Sequence, residues 1–241
     1  MNRHLACADL HGMYDLWRQI SDYCDDSDTI YFLGDAIDRG DAGLRILTEL
    51  LNDKRVHMLL GNHEEFIISY MQEHHNTTWL NNGGLTTCLS FNELSDVNQK
   101  QLYEQLTILP YQVTYFNTKG QRILMNHAGH IPDEYNSAEM FIFGSLNPYL
   151  WDRRHFHRKW VIDKNTYLVH GHTGVKYLRH QLNIANEFYR KPLLDEEAIE
   201  VTKYSDGHKI DIDLTSFYSN KAALFNLDTL EVEKYFYVKG E

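Results

Sequence analysis

Thr29-Ile30-Tyr31-Phe32-Leu33-Gly34-Asp35-Ala36-Ile37-Asp38-Arg39-Gly40 is an apolar run cut short by a glycine and followed at once by charged residues. It reads as a buried strand whose carboxyl end hands Asp35, Asp38 and Arg39 to a loop. Working outward, the same grammar recurs on both sides. His4 to Ala8 runs into Ala8-Asp9-Leu10-His11-Gly12, and Val56 to Leu60 runs into Gly61-Asn62-His63-Glu64. Apolar residues at helical spacing lie between and after them: Met13, Leu16, Trp17 and Ile20, then Leu44, Leu47 and Leu51, then Phe66, Ile67, Tyr70 and Met71. A βαβαβ order predicts parallel strands with right-handed crossovers. Their carboxyl ends then line one edge, where ligands of open α/β sheets bind.

From Thr77 to Leu109 the chain reads as helix and loop, broken at Asn82-Gly83-Gly84, capped at Ser95 or Asp96, and striped by Leu102, Leu106 and Leu109 before Pro110. Tyr111 to Phe116 and Arg122 to Asn126 flank an Asn117-Thr118-Lys119-Gly120 turn and read as a hairpin leading into His127-Ala128-Gly129. Thr166 to Val169 precedes His170-Gly171-His172-Thr173. A hairpin is expected around Ser205-Asp206-Gly207, with last strands near Ala222 to Leu227 and Val232 to Val238. The expectation is one α/β domain over residues 1–241 with mixed sheets, antiparallel pairing dominating its second half, and 177–209 as a lid or a surface excursion.

Composition narrows the function. With 43% hydrophobic residues among 241 the chain can bury a full core. Its 23 basic and 34 acidic side chains leave a formal charge of −11, which argues against a nucleic-acid partner. No apolar stretch approaches the roughly 18 residues of a membrane span. Three cysteines without CxxC spacing argue against a disulfide framework, and the start of the chain leaves no room for a secretory leader, so a cytoplasmic setting is expected.

Carboxylates gathered at one sheet edge repel each other by about 4 kcal/mol per pair at ~4 Å and an effective dielectric near 20. A cation resolves that conflict. Asp9 and His11, one residue apart, would face one way from an extended strand end and share a cation. Asp35 has two oxygens and can bridge to a second ion about 3.5–4 Å away, completed by Asn62, His127 and His172. The thiolate-free donor set suits Mn²⁺, Fe, Zn²⁺ or Ni²⁺, with manganese the ion expected to serve in vitro. His63, beside Asn62, can donate a proton when oriented by Asp38. Arg39 offers a planar fork for phosphate oxygens, and Arg153 or Arg154 can close the clamp.

ADLHG, GDAIDRG, GNHE, HAG and GHT, in this order from Asp9 to Thr173, resemble the motif series of the calcineurin-like metallophosphoesterases, closest to the phosphoprotein phosphatase branch of small bacterial and phage serine/threonine phosphatases. The resemblance implies a sandwich of two mixed β-sheets flanked by helices. It also implies one metal on Asp9, His11 and Asp35 and another on Asp35, Asn62, His127 and His172. His63 with Asp38 would be the general acid, and Arg39, Asn62 and Arg153 would bind phosphate. The chain departs from the pattern at Ala8, at Ala128 and at Asp213 to Asn220, where bulkier residues replace a glycine-rich stretch.

The function so implied is hydrolysis of phosphomonoesters by a metal-bound hydroxide, on a phosphorylated protein or a small phosphoester. A dinucleoside polyphosphate hydrolase is the first rival, and an inactive module that binds a phosphorylated partner is the second. His170 reads as a strand-end histidine bonded to backbone. His74, His75 and the aromatic residues Phe141, Phe143, Tyr149 and Trp151 read as surface or packing residues.

Overall fold

Alternation along the first strand builds two cores at once. The computed structural model describes residues 2–73, 77–130, 147–157, 163–188 and 192–239. In β1, His4–Cys7, the side chains of Leu5 and Cys7 join a core shared with helices, while Ala6 points the other way into a core shared with a second sheet. β2, Thr29–Phe32, repeats the pattern: Ile30 and Phe32 face the helices, Tyr31 and the following Leu33 the second sheet. The helix-side core is closed by α1, Tyr14–Tyr23, through Leu16, Trp17 and Ile20, and by α2, Gly43–Asn52, through Ile46, Leu47 and Leu50. Each such buried side chain contributes roughly 1.5–3 kcal/mol relative to exposure.

β3, Val56–Met58, leads into α3, Asn62–Glu73. β1 pairs parallel with β2 and β2 parallel with β3, as the βαβαβ reading predicts. After α3 come α4, Thr77–Trp79, a wide turn at Leu80–Gly84, α5, Leu85–Asn92, and α6, Asp96–Thr107, whose cap is Ser95, its side chain accepting from the Asn98 N–H. The antiparallel hairpin of β4, Gln112–Phe116, and β5, Arg122–Asn126, opens the second sheet. Then follow the short α7, Pro148–Trp151, β6, Thr166–His170, α8, Val175–Phe188, β7, Thr202–Tyr204, and β8, Lys209–Asp211. A last helical turn, α9, Ser216–Ser219, precedes β9, Lys221–Asn226, and β10, Glu231–Tyr237, which return to the first sheet.

The sheets run β10-β9-β1-β2-β3 and β4-β5-β6-β8-β7. They face each other across Ala6, Leu33, Leu59, Met125, Val169, Ile210 and Phe225. Among the described residues the strands of the second half pair mostly antiparallel, as expected, in β4–β5, β7–β8, β9–β10 and β1–β9, while β5–β6 and β6–β8 are parallel. Parallel pairing requires crossovers, and those between β6 and β8 use α8, packed through Leu178 on Phe156 and Tyr204. Residues 177–188 of the segment read as lid or excursion thus belong to a helix, where Arg179 is buried and donates to Thr202 Oγ1 and the Asp195 carbonyl. His74, His75, Phe141 and Phe143 lie outside the described residues.

Candidate metal centre

The carboxyl ends of β1, β2, β3, β5 and β6 bring the singled-out residues to one place. The loop after β1 is zipped to the loop after β2 by Asp9 N–H to Gly34 O (3.1 Å), His11 N–H to Asp35 O (3.1 Å) and Gly12 N–H to Ala36 O (2.9 Å). The loop after β3 closes against β2 so tightly that a Cβ on Gly34, at φ +95°, would lie 2.5 Å from Gly61 Cα. Asp9, His11, Asp35, Asp38, Arg39 and His172 all adopt left-handed backbone, φ between 44° and 74°. Such conformations cost on the order of 1 kcal/mol or more each and collect where a site over-determines its geometry. They also correct the premise that Asp9 and His11 share a face of extended strand: both residues lie beyond β1, and the loop bonds aim them instead.

Asp35 is 2% exposed and stands between two sets of imidazoles. Its Oδ2 faces His11 Nε2 at 3.6 Å and His63 Nε2 at 3.8 Å, and its Oδ1 faces His127 Nε2 at 3.4 Å. Among the described residues two buried triads place their ligand atoms within 4.8 Å of one another: His11, Asp35, His63 and Asp35, His127, His172. Asn62 joins the second, its Oδ1 lying 2.8 Å from both His127 Nε2 and His172 Nδ1. Asp9 is in neither triad. Both its oxygens accept from the His172 N–H at 3.1 Å, while burial, then Asp213 and Asp35, push its carboxyl well above the usual range.

Tautomers show what the site is built to hold. A carbonyl can only accept, so His11 Nδ1 donates to Ile37 O (3.0 Å) and His127 Nδ1 donates to Leu33 O (2.7 Å). In a neutral ring that leaves a lone pair on each Nε2. At His127 this lone pair converges with Asn62 Oδ1 and Asp35 Oδ1, an arrangement that either a divalent cation or a proton on Nε2 relieves; burial disfavours the proton, but Asp35 outweighs it and raises the His127 pKa. A carbonyl fixing the far nitrogen is also the usual support of a metal-bound histidine. The donor set of imidazole, carboxylate and amide oxygen therefore fits divalent cations. Burial lowers the pKa values of His11 and His172 well below the ordinary histidine value, keeping them neutral for the same role.

His63 Nδ1 lies 2.5 Å from Asp38 Oδ2, and its Nε2 lies 3.4 Å from an Arg39 guanidinium nitrogen. Arg39 N–H donates to Gly83 O at 2.9 Å, so the Asn82-Gly83-Gly84 break lies directly against the site. Arg153 is exposed, and its charge helps lower His172. Arg154 is held by Asp152, its N–H donating to Oδ1 at 2.8 Å and its Nε 3.5 Å from the same oxygen. His170 Nδ1 donates to Gly171 O and its Nε2 accepts from Tyr204 OH, with burial lowering its pKa to about 4.

Three contributors escaped the sequence reading. Glu64 is fully buried and accepts the backbone N–H groups of Asp35, Ala36 and Gly61; burial and then Asp35 push its carboxyl up to about 7. Asp213, buried near Asp9 and Arg39, accepts from Thr215 N–H and is raised by burial to about 6. Trp79 donates to Asp38 Oδ2 at 2.7 Å. Glu64 was at least visible inside GNHE; nothing local marks Trp79, which lies 41 residues from its partner.

A family model described as calcineurin-like phosphoesterase matches residues 3–212. Serine/threonine-protein phosphatase 2 of Salmonella typhimurium is 25% identical over 158 residues, 63% of this chain and 68% of that protein. A crystal structure of a putative diadenosine tetraphosphatase superposes with a TM-score of 0.58 at 13% identity, covering all of this chain and 95% of the other. A Saccharomyces cerevisiae protein serine/threonine phosphatase with similarity to human phosphatase PP5 gives 0.56 at 12% identity, covering 100% and 81%. These structural likenesses concern the fold.

Proposed function

Because this chain belongs to the calcineurin-like phosphoesterase family, and is thereby a metal-dependent phosphatase, we propose that it hydrolyses phosphomonoesters, with phosphoserine and phosphothreonine of proteins as its substrate class. Asp9, His11 and Asp35 would hold one divalent cation, and Asp35, Asn62, His127 and His172 would hold a second. The observation that carries this reading is the Asp35 carboxylate, with one oxygen toward His11 and the other toward His127. Two divalent cations bound there would acidify a water and neutralise phosphate oxygens.

The chain's own residues do the rest. Arg39 and Arg153 grip phosphate oxygens from two sides, and Asn62 adds its amide, so that the ester oxygen turns toward His63. Asp38 holds the Nδ1–H of His63, which leaves Nε2 to carry the proton that passes to the departing alkoxide. Water attack needs no phosphoenzyme, and no serine or cysteine lies in the motifs. Buried, unpaired Cys7, Cys24 and Cys88 are in keeping with a reducing, cytoplasmic setting.

The test is hydrolysis of p-nitrophenyl phosphate, a phosphoserine peptide and diadenosine tetraphosphate by the Mn²⁺-loaded protein. Release of phosphate from the first two is expected. A preference of about tenfold or more for the dinucleotide, a difference of ~1.4 kcal/mol, would overturn the substrate class, and no hydrolysis with any divalent ion would overturn the reading itself.

A further inference from the structure

The segment that follows α3 does more than interrupt a helix. Trp79 is 0% exposed, and its indole N–H donates to Asp38 Oδ2 at 2.7 Å, the same oxygen that faces His63 Nδ1 at 2.5 Å. The other oxygen, Asp38 Oδ1, is buried without a hydrogen-bond partner among the described residues. The carboxylate therefore has donors on one oxygen only, and its terminal torsion is intrinsically broad and two-fold. Among the described residues, His63 and Trp79 are the side-chain donors that select which oxygen meets the imidazole.

The next residues show how the indole comes to be there. At Leu80–Gly84 the helix is broken by Asn82 (φ −96°, ψ 18°) and Gly83 (φ 96°, ψ 10°). Gly84 packs against the indole so closely that a Cβ there would lie 2.4 Å from Trp79 Nε1. Gly83 O accepts the Arg39 N–H at 2.9 Å, and Tyr70 covers the Trp79 ring with centroids 5.2 Å apart. One short stretch thus touches two consecutive site residues, Asp38 through the indole and Arg39 through a carbonyl. Breaks of this kind inside helices gather at functional sites.

Building on the function proposed above, we infer that Trp79 is a positioning residue for proton delivery: its indole N–H fixes the Asp38 oxygen that orients His63. It touches neither substrate nor metal. Its effect is confined to substrates whose leaving group needs the proton, because a well-oriented acid matters most where the departing oxygen is most basic. A residue that only filled space would slow all substrates alike.

The experiment compares phenyl phosphate, a poor leaving group, with p-nitrophenyl phosphate, a good one, in the Mn²⁺-loaded wild type and Trp79→Phe. The phenylalanine variant should lose about tenfold in kcat on phenyl phosphate and less than about twofold on p-nitrophenyl phosphate, with KM and bound metal unchanged. In a His63→Asn background the same change should add nothing, because two members of one relay are not additive. Benzothienylalanine at position 79, which keeps the bicyclic shape and lacks the N–H, should reproduce the selective loss and serves if the phenylalanine variant does not fold. Equal losses on both substrates, or full additivity with His63→Asn, would overturn the inference. A wild type inactive on both esters would instead overturn the proposed function.

Discussion

Glu64, on the first turn of α3, accepts the backbone N–H of Asp35 at 2.8 Å across the gap between the β2 and β3 loops. The same carboxylate takes Ala36 N–H at 2.9 Å and Gly61 N–H at 3.1 Å, so one buried side chain ties the bridging aspartate to the loop that carries Asn62 and His63. The metal centre is aimed from behind by a buried carboxyl group that accepts three backbone N–H groups.

Glu64→Gln should therefore harm the site without touching a ligand. The amide keeps one acceptor and turns an NH₂ toward backbone donors, a mismatch worth about 1–3 kcal/mol for a buried group. Thermal denaturation of the metal-free protein and Mn²⁺ titration should both register it, as a lower Tm and a weaker affinity. Unchanged values in both would show that Glu64 is not the anchor of these loops.

His63→Asn should reduce turnover on a phosphoserine peptide by roughly 10²–10⁴-fold, the usual contribution of a general acid, while bound metal is retained. Steady-state kinetics with parallel metal analysis separate the two. Loss of metal instead would place His63 among the ligands, as its triad with His11 and Asp35 geometrically allows.

The two arginines should divide by function. Arg153→Ala should lower kcat/KM about tenfold, the ~1.4 kcal/mol of one charge-assisted contact, at unchanged Tm. Arg154→Ala, which removes the guanidinium resting on buried Asp152, should lower Tm with little kinetic effect. Kinetics and melting curves on both variants decide it, and the reverse pattern would reassign the clamp.

Far from the site, Asp28 supplies a pH-dependent part of stability. Its buried carboxylate accepts from Arg3 N–H and Nε at 3.1 Å and from Asp25 N–H at 2.8 Å; burial opposes ionisation, but the Arg3 and backbone bonds outweigh it and lower the pKa. A lowered folded-state value means stability that is present above the unfolded value near 4 and is lost as pH falls through the folded one. Asp28→Asn should cost about 1–3 kcal/mol at pH 7, and its Tm should converge with the wild type in acid well below pH 4. A constant gap across that range would remove the ionic contribution.

Much of this was legible in the chain. Each of the first three strands ends in a glycine-flanked cluster, and in the structure Asp9, His11, Asp35, Asn62, His127 and His172 do gather, because parallel strands align their carboxyl ends. Sequence spacing could not supply what depends on distant partners. Asp9 and His11 looked like neighbours on one strand face, yet their aim comes from bonds to Gly34 and Asp35 on another loop. Glu64 and Trp79 act through atoms 28 and 41 residues away, and a buried carboxylate or indole bears no local mark of the group it will meet. The parallel pairing of β6 with β5 and β8 was missed for a like reason: alternation reports which face is buried, not which strand lies alongside.

The sharpest measurement is an anomalous difference map at the manganese edge from crystals of the Mn²⁺-saturated protein. Two peaks are expected about 3.5–4 Å apart, one on each side of the Asp35 carboxylate, with both lost in Asp35→Asn. A single peak, peaks remote from Asp35, or a pair that persists when Asp35 is neutralised would contradict a shared carboxylate at the heart of the site.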